Sequence, residues 1–504
     1  MRVMDGLVLR RVFYTALVGS IGLCAGNAAH AAAPGGVTTN LEVWLKPDTL
    51  IANSPVMDGA GWTDSSPNAN NFAKVVGMPL VTSGSASTGL NYNPYVLFDG
   101  ASYLSNIGAA FVTDNTATTI FSVAVTTQSP TDYNYHPYDF GSGSRGSHYV
   151  WSDYNYYNGV GTNDRLGFRP DTGAIIDVKA GVASITQTGI NTYKYHILYT
   201  RSATNDWATG FDGLTAASTT TNTTSFALNA GGTEYIGASA TNALFKGNVA
   251  ETIEYNRVLT ATERQKVDSY LAVKYGLTLG TTASVVNYLN SAGITIWTGS
   301  ATYQNRVLGI ARDDASALSQ KQTGNESIIQ MGLGSIAASN ADNKAVFGAD
   351  LSALMFGDDN GAQLYSAYTG TATAYKMARV WKVQKTGTVG AVVLTTSNTQ
   401  ATHVLVPNNA TFASGVTEVP FVNGQATVTF TTGQFFTLAS TQAPSTAAPG
   451  GVTGNLELWL KPDALAANST LMNGTGWQDS SPKVNNLSGV TGSPQVTSHG
   501  HRWA

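Results

Sequence analysis

One long segment of this chain is written twice. Ala33–Ser83 aligns without a gap to Ala448–Ser498, and about two-thirds of the positions are identical. Trp44 meets Trp459, Asp48 meets Asp463, Trp62 meets Trp477 and Asp64 meets Asp479. Agreement on that scale is duplication of a module. Whatever the first copy folds into, the second is written to begin. After Ser498 the text leaves the pattern. A piece of roughly sixty residues or fewer supplies one or two strands and turns, too little to close a sandwich core. The expectation is a truncated second copy over 449–504, joined through a Ser-, Thr-, Ala- and Pro-rich linker over 441–448.

The text between the copies reads as short strands. Leu41-Glu42-Val43-Trp44-Leu45-Lys46-Pro47 alternates apolar and polar residues and stops at a proline. Thr119–Thr127 is a continuous β-branched run, and Tyr195, Ile197 and Tyr199 alternate with His196, Leu198 and Thr200. Asp99-Gly100 and Asp212-Gly213 each lie between apolar runs, the strongest short hairpin signal, because both turn residues tolerate positive φ. Charged residues are only 12% of the chain and glycines number 53, which suits antiparallel sheets joined by tight turns. One helix interrupts this pattern. Thr260 and Glu263 form a capping box, Val267, Tyr270, Leu271 and Lys274 follow at helical spacing, and Gly276 is placed to cap the end. Val267, Tyr270 and Leu271 are expected to pack on the sandwich.

Export bounds the partners. Arg2, Arg10 and Arg11 precede an apolar stretch from Val12 to Gly26, and Ala29-His30-Ala31 follows with small residues. That is the pattern of a signal peptide over 1–31, cleaved near Ala31 by a bacterial Sec-type route. The single cysteine, Cys24, leaves with it, which removes disulfides, thiolate metal sites and a cysteine nucleophile. The remainder carries 24 basic and 30 acidic residues, too acidic to track a phosphate backbone, so nucleic acid is not an expected partner. No later apolar run reaches bilayer length. The expected location is secreted or on the outer cell surface.

Ala250-Glu251-Thr252-Ile253-Glu254-Tyr255-Asn256-Arg257-Val258-Leu259-Thr260, running into Glu263-Arg264-Gln265, resembles the closing strand and helix of LamG-like (concanavalin A-like) jelly rolls. The Trp62–Asn71 and Tyr195–Leu214 stretches resemble earlier stretches of that domain. The resemblance implies a two-sheet jelly-roll sandwich over 32–279. Residues 280–440, with Ile294–Trp297, Arg306–Asp314 and Arg379–Gln384 as landmarks, resemble an uncharacterised β-rich module that accompanies such domains on bacterial surfaces. Their strand pattern suggests an immunoglobulin-like sandwich. The fold class expected is all-β throughout.

The chemistry points to binding. Glycoside hydrolysis needs two acids aimed across one bond. Glu251 and Glu254, three apart on a strand, fall on opposite faces, and no other pairing stands out. No zinc spacing, nucleophile elbow or phosphate loop occurs, so no enzyme is expected. Two candidate sites emerge. The first is an aromatic stretch holding Tyr133, Tyr135, Tyr138, Tyr149, Trp151, Asp153, Tyr154 and Tyr156. Its flat rings suit the C–H faces of sugars or a protein partner, or else half of them fill the core. The second is the loop with Asp64, Asn68, Asn70 and Asn71, whose oxygens suit Ca²⁺, the one cofactor suggested, or alternatively form an Asx-rich turn. The function expected is recognition of a glycan or a surface protein through jelly-roll loops, with a ligand-free structural stalk as the alternative and a jelly-roll glycoside hydrolase as a lesser one.

Overall fold

The computed structural model describes residues 32–85, 90–106, 117–127, 136–140, 147–148, 150–151, 165–169, 173–177, 186–187, 194–220, 233–240 and 243–443. Of the second copy it describes 456–461, 465, 469–471, 476–481, 487 and 489–496. The signal segment over 1–31 and the linker from 444 onward lie outside these residues.

The first half is a sandwich. Among the described residues its larger sheet has eight strands, with Leu214–Thr219, Asp206–Phe211, His196–Ala203, Ala117–Thr126, Lys246–Tyr255, Tyr95–Asp99 and Leu80–Thr82 side by side. The opening strand, Leu41–Leu45, pairs antiparallel with the closing strand, Lys246–Tyr255. A five-stranded sheet that includes Lys74–Val76, Tyr103–Asn106, Glu234–Ile236 and Tyr138–Phe140 faces it. Val43, Val96, Phe98, Ile120 and Leu198 of the large sheet meet Val75, Leu104, Tyr138 and Ile236 between the two.

Asp212-Gly213 forms the hairpin its sequence announces. Both residues take positive φ, 47° and 78°, and Phe211 pairs with Leu214. Asp99-Gly100 does not. The chain turns there, but Tyr95–Asp99 stays in the eight-stranded sheet while Tyr103–Asn106 crosses to the five-stranded one. The reason is local and topological at once. Asp99 Oδ1 accepts from Ala101 N and Ser102 Oγ, which shapes a turn, and both edges of Tyr95–Asp99 are already taken by Leu80–Thr82 and the closing strand.

Helix α1 (Ala261–Tyr275) starts on the expected capping box and ends on Gly276 at φ 62°. Thr260 Oγ1 accepts from Glu263 N, and Thr260 N donates to Glu263. Its last nine residues, Val267–Tyr275, are all buried, not merely one stripe. A helix buried all round has neighbours on every side. One side covers the outer face of the eight-stranded sheet at Phe121, Val123, Ile253 and Tyr255. The other meets Tyr288, Trp297, Val307, Leu318 and Met355 of the second half, and all belong to one continuous core. The large sheet is therefore covered on both faces. That explains why Ala117–Thr126 is buried from its second residue to its last.

The second half is also a two-sheet structure. A nine-stranded sheet includes Asn305–Asp313, Ser352–Asp358, Trp381–Thr386 and Phe435–Ser440. A four-stranded sheet, Gln322–Thr323, Ile329–Leu333, Val392–Thr396 and Ala426–Val428, packs over it. Ile310, Phe356, Trp381 and Phe436 meet Met331, Val392 and Leu394 across the interior. The all-β sandwich class stands, in a form with more strands than the roughly seven to nine of an immunoglobulin domain.

Candidate functional site

The two halves are stitched together by buried amides. Asn91 Oδ1 accepts from Thr323 Oγ1 (2.8 Å) and Gly324 N (3.1 Å), while its Nδ2 donates to the Val273 and Lys274 carbonyls at the end of α1. Asn93 Nδ2 donates to Gln320 Oε1 (3.0 Å), Gln320 Nε2 returns to Asn91 O, and Asn325 Nδ2 reaches Gly276 O. Asn91 and Tyr92 both have positive φ, 52° and 66°. Asparagine tolerates that conformation, but for a bulky tyrosine it is an outlier held by its surroundings. The Tyr92 carbonyl accepts from Asn340 N (3.0 Å), so the strained turn is gripped from both sides.

Along this seam opens a cleft of about 360 Å³. Asp48, Tyr92 and Asn93 line it from the first half, Gln320, Lys321 and Asn340 from the second, and Lys274 of α1 contributes where they meet. The Tyr92 hydroxyl is buried and has no hydrogen-bond partner among the described residues. Burial pushes its pKa up to about 12, so it stays a neutral donor. Lys274 Nζ bridges Glu251 Oε2 (2.8 Å) and half-exposed Asp48 Oδ1 (3.1 Å). Burial pulls the lysine pKa down, but Asp48 and Glu251 outweigh it and leave Lys274 above its ordinary value. Glu251 is itself fully buried and saturated. Trp44 Nε1 (2.6 Å), Tyr270 OH (2.8 Å), Tyr275 OH (2.8 Å) and Lys274 all donate to it. This network fixes the cationic head in place. A smaller cavity beside α1 near Asp313, about 10 Å³, has room for a single water at most.

The sites expected from sequence fall elsewhere. Tyr138 is a core residue: it is fully buried between the sheets and its hydroxyl shares a hydrogen bond with Thr200 Oγ1 (2.9 Å). It cannot offer a ring to a ligand. Trp151 lies in the short strand Val150–Trp151, paired parallel with Arg165–Arg169. Tyr133, Tyr135, Tyr149, Asp153, Tyr154 and Tyr156 lie outside the described residues.

The Asp64–Asn71 loop is a staple. Asp64 Oδ1 accepts from Trp44 N (2.7 Å) and Ser66 N (2.8 Å), and Oδ2 accepts from Ser66 Oγ and Asn70 N (2.8 Å). Asn71 Oδ1 accepts from Asp64 N (2.9 Å). Asn68 Nδ2 donates to Leu41 O and Asn70 Nδ2 to Glu42 O. The oxygens proposed as calcium ligands on Asp64 and Asn71 are thus committed to protein donors, which is the Asx-turn alternative. Among the described residues, no three Asp, Glu, His or Cys side chains form a group that could hold a metal ion.

Sequence reasoning passed over the cleft because its components are far apart. Asp48 and Lys274 are separated by 226 positions. Their one local signal was Asp48 in the repeated segment and Lys274 on the helix.

Comparison with known proteins adds a family match for a portion of the chain. Residues 263–442, just over a third of the sequence, match a domain of unknown function, DUF8202. The match begins inside α1, in keeping with that helix sharing a core with the second half. No curated protein matches the chain. Among solved structures, similarity is found to domain 4 of AbnA, a GH43 extracellular arabinanase from Geobacillus stearothermophilus, in complex with arabinotriose. Identity is 14% and the TM-score 0.31, over 46% of this chain and 100% of that one. An arabinofuranosidase complexed with arabinofuranosyl-α-1,2-xylobiose gives 15% and 0.31, over 48% of this chain and 55% of that one. Trypanosoma rangeli sialidase with the inhibitor DANA gives 12% and 0.29, over 45% and 32%. The chain therefore spans about half of the arabinofuranosidase and a third of the sialidase. Likeness at this distance leaves the reading of the cleft to its own geometry.

Proposed function

We propose that this chain is a secreted or outer-surface modular protein that binds an uncharged glycan in the cleft between its two sandwiches. The observation that carries this is Tyr92, a wall residue of the cleft whose buried hydroxyl has no partner among the described residues, beside amides and hydroxyls of Asn93, Ser319, Gln320 and Asn340, the apolar Leu50, Pro94 and Leu318, Lys321 and the Lys274–Asp48 pair. A buried polar group left unpaired costs about 1–3 kcal/mol, and a ligand hydroxyl would recover it. The cavity volume suits a sugar unit or two, and fixed polar groups in a concave site are what orient such ligands. Lys274 is balanced by Asp48 and Glu251, so it does not stand as a free charge for an acidic sugar. Binding fits better than hydrolysis, because Asp48 is the one carboxylate among the described lining residues and no second acid among them faces it. No helix among the described residues is long and apolar enough to cross a membrane.

A glycan array probed with the full chain, followed by titration calorimetry on any hit, tests this. Tyr92→Phe, which removes only the hydroxyl, is expected to weaken binding about five- to tenfold. Failure to bind any glycan, or binding indifferent to Tyr92→Phe, would sink the proposal.

The structural-stalk reading has its own support. The seam of Asn91, Asn93, Gln320 and Asn325 makes the two sandwiches one stiff unit, as a spacer requires. An empty array together with one cooperative unfolding transition would favour it.

A further inference from the structure

The network at the inner end of the cleft has the parts of a condensation site. Lys274 Nζ lies 3.1 Å from Asp48 Oδ1 and 2.8 Å from Glu251 Oε2. These are an amine, a carboxyl group in contact with it, and a second carboxyl group within hydrogen-bond reach to move protons. Lys274 and Glu251 are buried, and Asp48 is half-exposed toward the cleft. Aromatic rings wall the amine. Those of Tyr275 and Tyr270 have their centroids 5.3 Å and 5.7 Å from Nζ, and the Trp44 indole holds Glu251 Oε1 at 2.6 Å.

As ions the three groups are expensive to keep there. Burial is the largest influence on Lys274 and on Asp48 alike, and in each it opposes the charge. Only neighbours of opposite sign hold them ionised: Asp48 and Glu251 for the lysine, Lys274 and Lys46 for the aspartate. An amide between Nζ and the Asp48 carboxyl carbon removes both charges and keeps the link.

We propose that Lys274 and Asp48 are joined by an intramolecular isopeptide bond, formed with Glu251 as proton carrier. Lys274 Nζ passes one proton to Glu251 Oε2 along their 2.8 Å hydrogen bond, and burial favours the resulting neutral pair. A desolvated neutral amine is a nucleophile. It adds to Asp48 Cγ; the Nζ–Cγ bond forms and one Cγ–O bond breaks. The departing oxygen takes one proton back from Glu251 and a second from Nζ, and leaves as water into the cleft. The charges of Lys274 and Asp48 cancel, and the reaction balances without a co-reactant. The two joined residues are 226 positions apart, so the bond fastens the segment after the opening strand to the last turn of α1. A cross-link over so long a loop restricts the unfolded chain and resists peeling of that strand. The product is uncharged, so glycan binding in the cleft stands or falls by its own test.

The test is the intact mass of the chain, purified folded and then unfolded in urea, with no ligand present. The expected mass is lower than that of the sequence by one water. Tryptic digestion is expected to give one branched peptide joining Asp48 to Lys274, with cleavage after Lys274 blocked. Asp48→Ala, at a half-exposed site, is expected to restore the full mass. Glu251→Gln keeps both joined residues and is expected to restore it too. Should that variant fail to fold, Lys274→Arg, which keeps the cation, is expected to give the full mass in a folded chain. A full sequence mass for the folded unaltered chain overturns the proposal. So does a loss of water that persists in Asp48→Ala or in Lys274→Arg, since that places the dehydration elsewhere. A bond that still forms at the same rate in Glu251→Gln overturns the part given to Glu251.

Discussion

The two copies of the repeated segment share most of their residues and end in different environments. Their local hydrogen bonds are nearly superimposable. Trp44 N to Asp64 Oδ1 is 2.7 Å, and so is Trp459 N to Asp479 Oδ1. Trp62 Nε1 to Lys46 O is 3.0 Å, matched by Trp477 Nε1 to Lys461 O at 3.0 Å. Ser66 N and Ser481 N each donate to their aspartate at 2.8 Å. Burial separates them. Val43 is fully buried, while its counterpart Leu458 is 45% exposed. Trp44 and Trp62 are fully buried, whereas Trp459 and Trp477 are half-buried. The first copy has the closing strand, Glu251 and α1 against it; the second has none of these among the described residues. Turn and staple are therefore local products, and the core is not.

Four measurements put that contrast at risk. The largest effect is expected from Glu251→Ala, which strips a fully buried partner from Lys274, Trp44, Tyr270 and Tyr275. Removing one partner of a buried ion pair costs roughly 3–5 kcal/mol, and here Lys274 keeps only the half-exposed Asp48. Urea unfolding should show that loss. Quencher access to tryptophan should rise toward what the second copy already shows.

Next comes the staple itself. Asp64→Ala orphans the N–H groups of Trp44, Ser66 and Asn70, and should cost about 2–4 kcal/mol in urea unfolding. Asp479→Ala should move the same transition by less than about 1 kcal/mol, because its neighbourhood lies outside the closed cores. Equal effects would mean that the second copy is folded into the main cooperative unit.

Exchanging the differing strand residue is gentler. Val43→Leu inserts a methylene into a filled core and should cost about 1–3 kcal/mol, while Leu458→Val at an exposed site should stay within about 0.5 kcal/mol.

The smallest effect expected is a dependence on pH to which Asp268 on α1 contributes alongside Glu254 of the closing strand. Asp268 on α1 is raised to about 6, first by burial and then by Asp212, despite Arg264 at 3.2 Å. Its folded pKa lies above the unfolded one, so the stability it contributes is present below about pH 4 and is lost as pH rises through about 6. Thermal melts between pH 4 and 7 should fall by a few degrees, and Asp268→Asn should flatten that slope. An unchanged slope in the variant would assign the titration to another group.

How much was legible follows the range of each interaction. The capping box at Thr260 and Glu263, the Gly276 cap and the Asp212-Gly213 hairpin rest on contacts between close neighbours in sequence, the strands at 41–45, 117–126 and 196–203 announce themselves by local alternation and β-branched content, and all form. Asp99-Gly100 misled because a turn residue specifies that the chain turns, not which sheet receives it. Tyr138 misled because an aromatic residue reads alike whether it fills a core or faces a ligand. The cleft was invisible because Asp48, Tyr92, Lys274, Gln320 and Asn340 meet only once α1 is buried from both sides.

Local chemistry along the chain was enough to establish an all-β protein of short strands, one capped helix and a stapled turn written twice, since caps, turns and pleat alternation are settled within a few residues. Long-range packing alone settled which copy is buried, that α1 is the shared core of two sandwiches, and where polar groups are left without partners. Burial is a property of what lies on the other side of a strand, and in this chain the other side of Leu41–Leu45 is encoded some two hundred residues away, at Lys246–Tyr255.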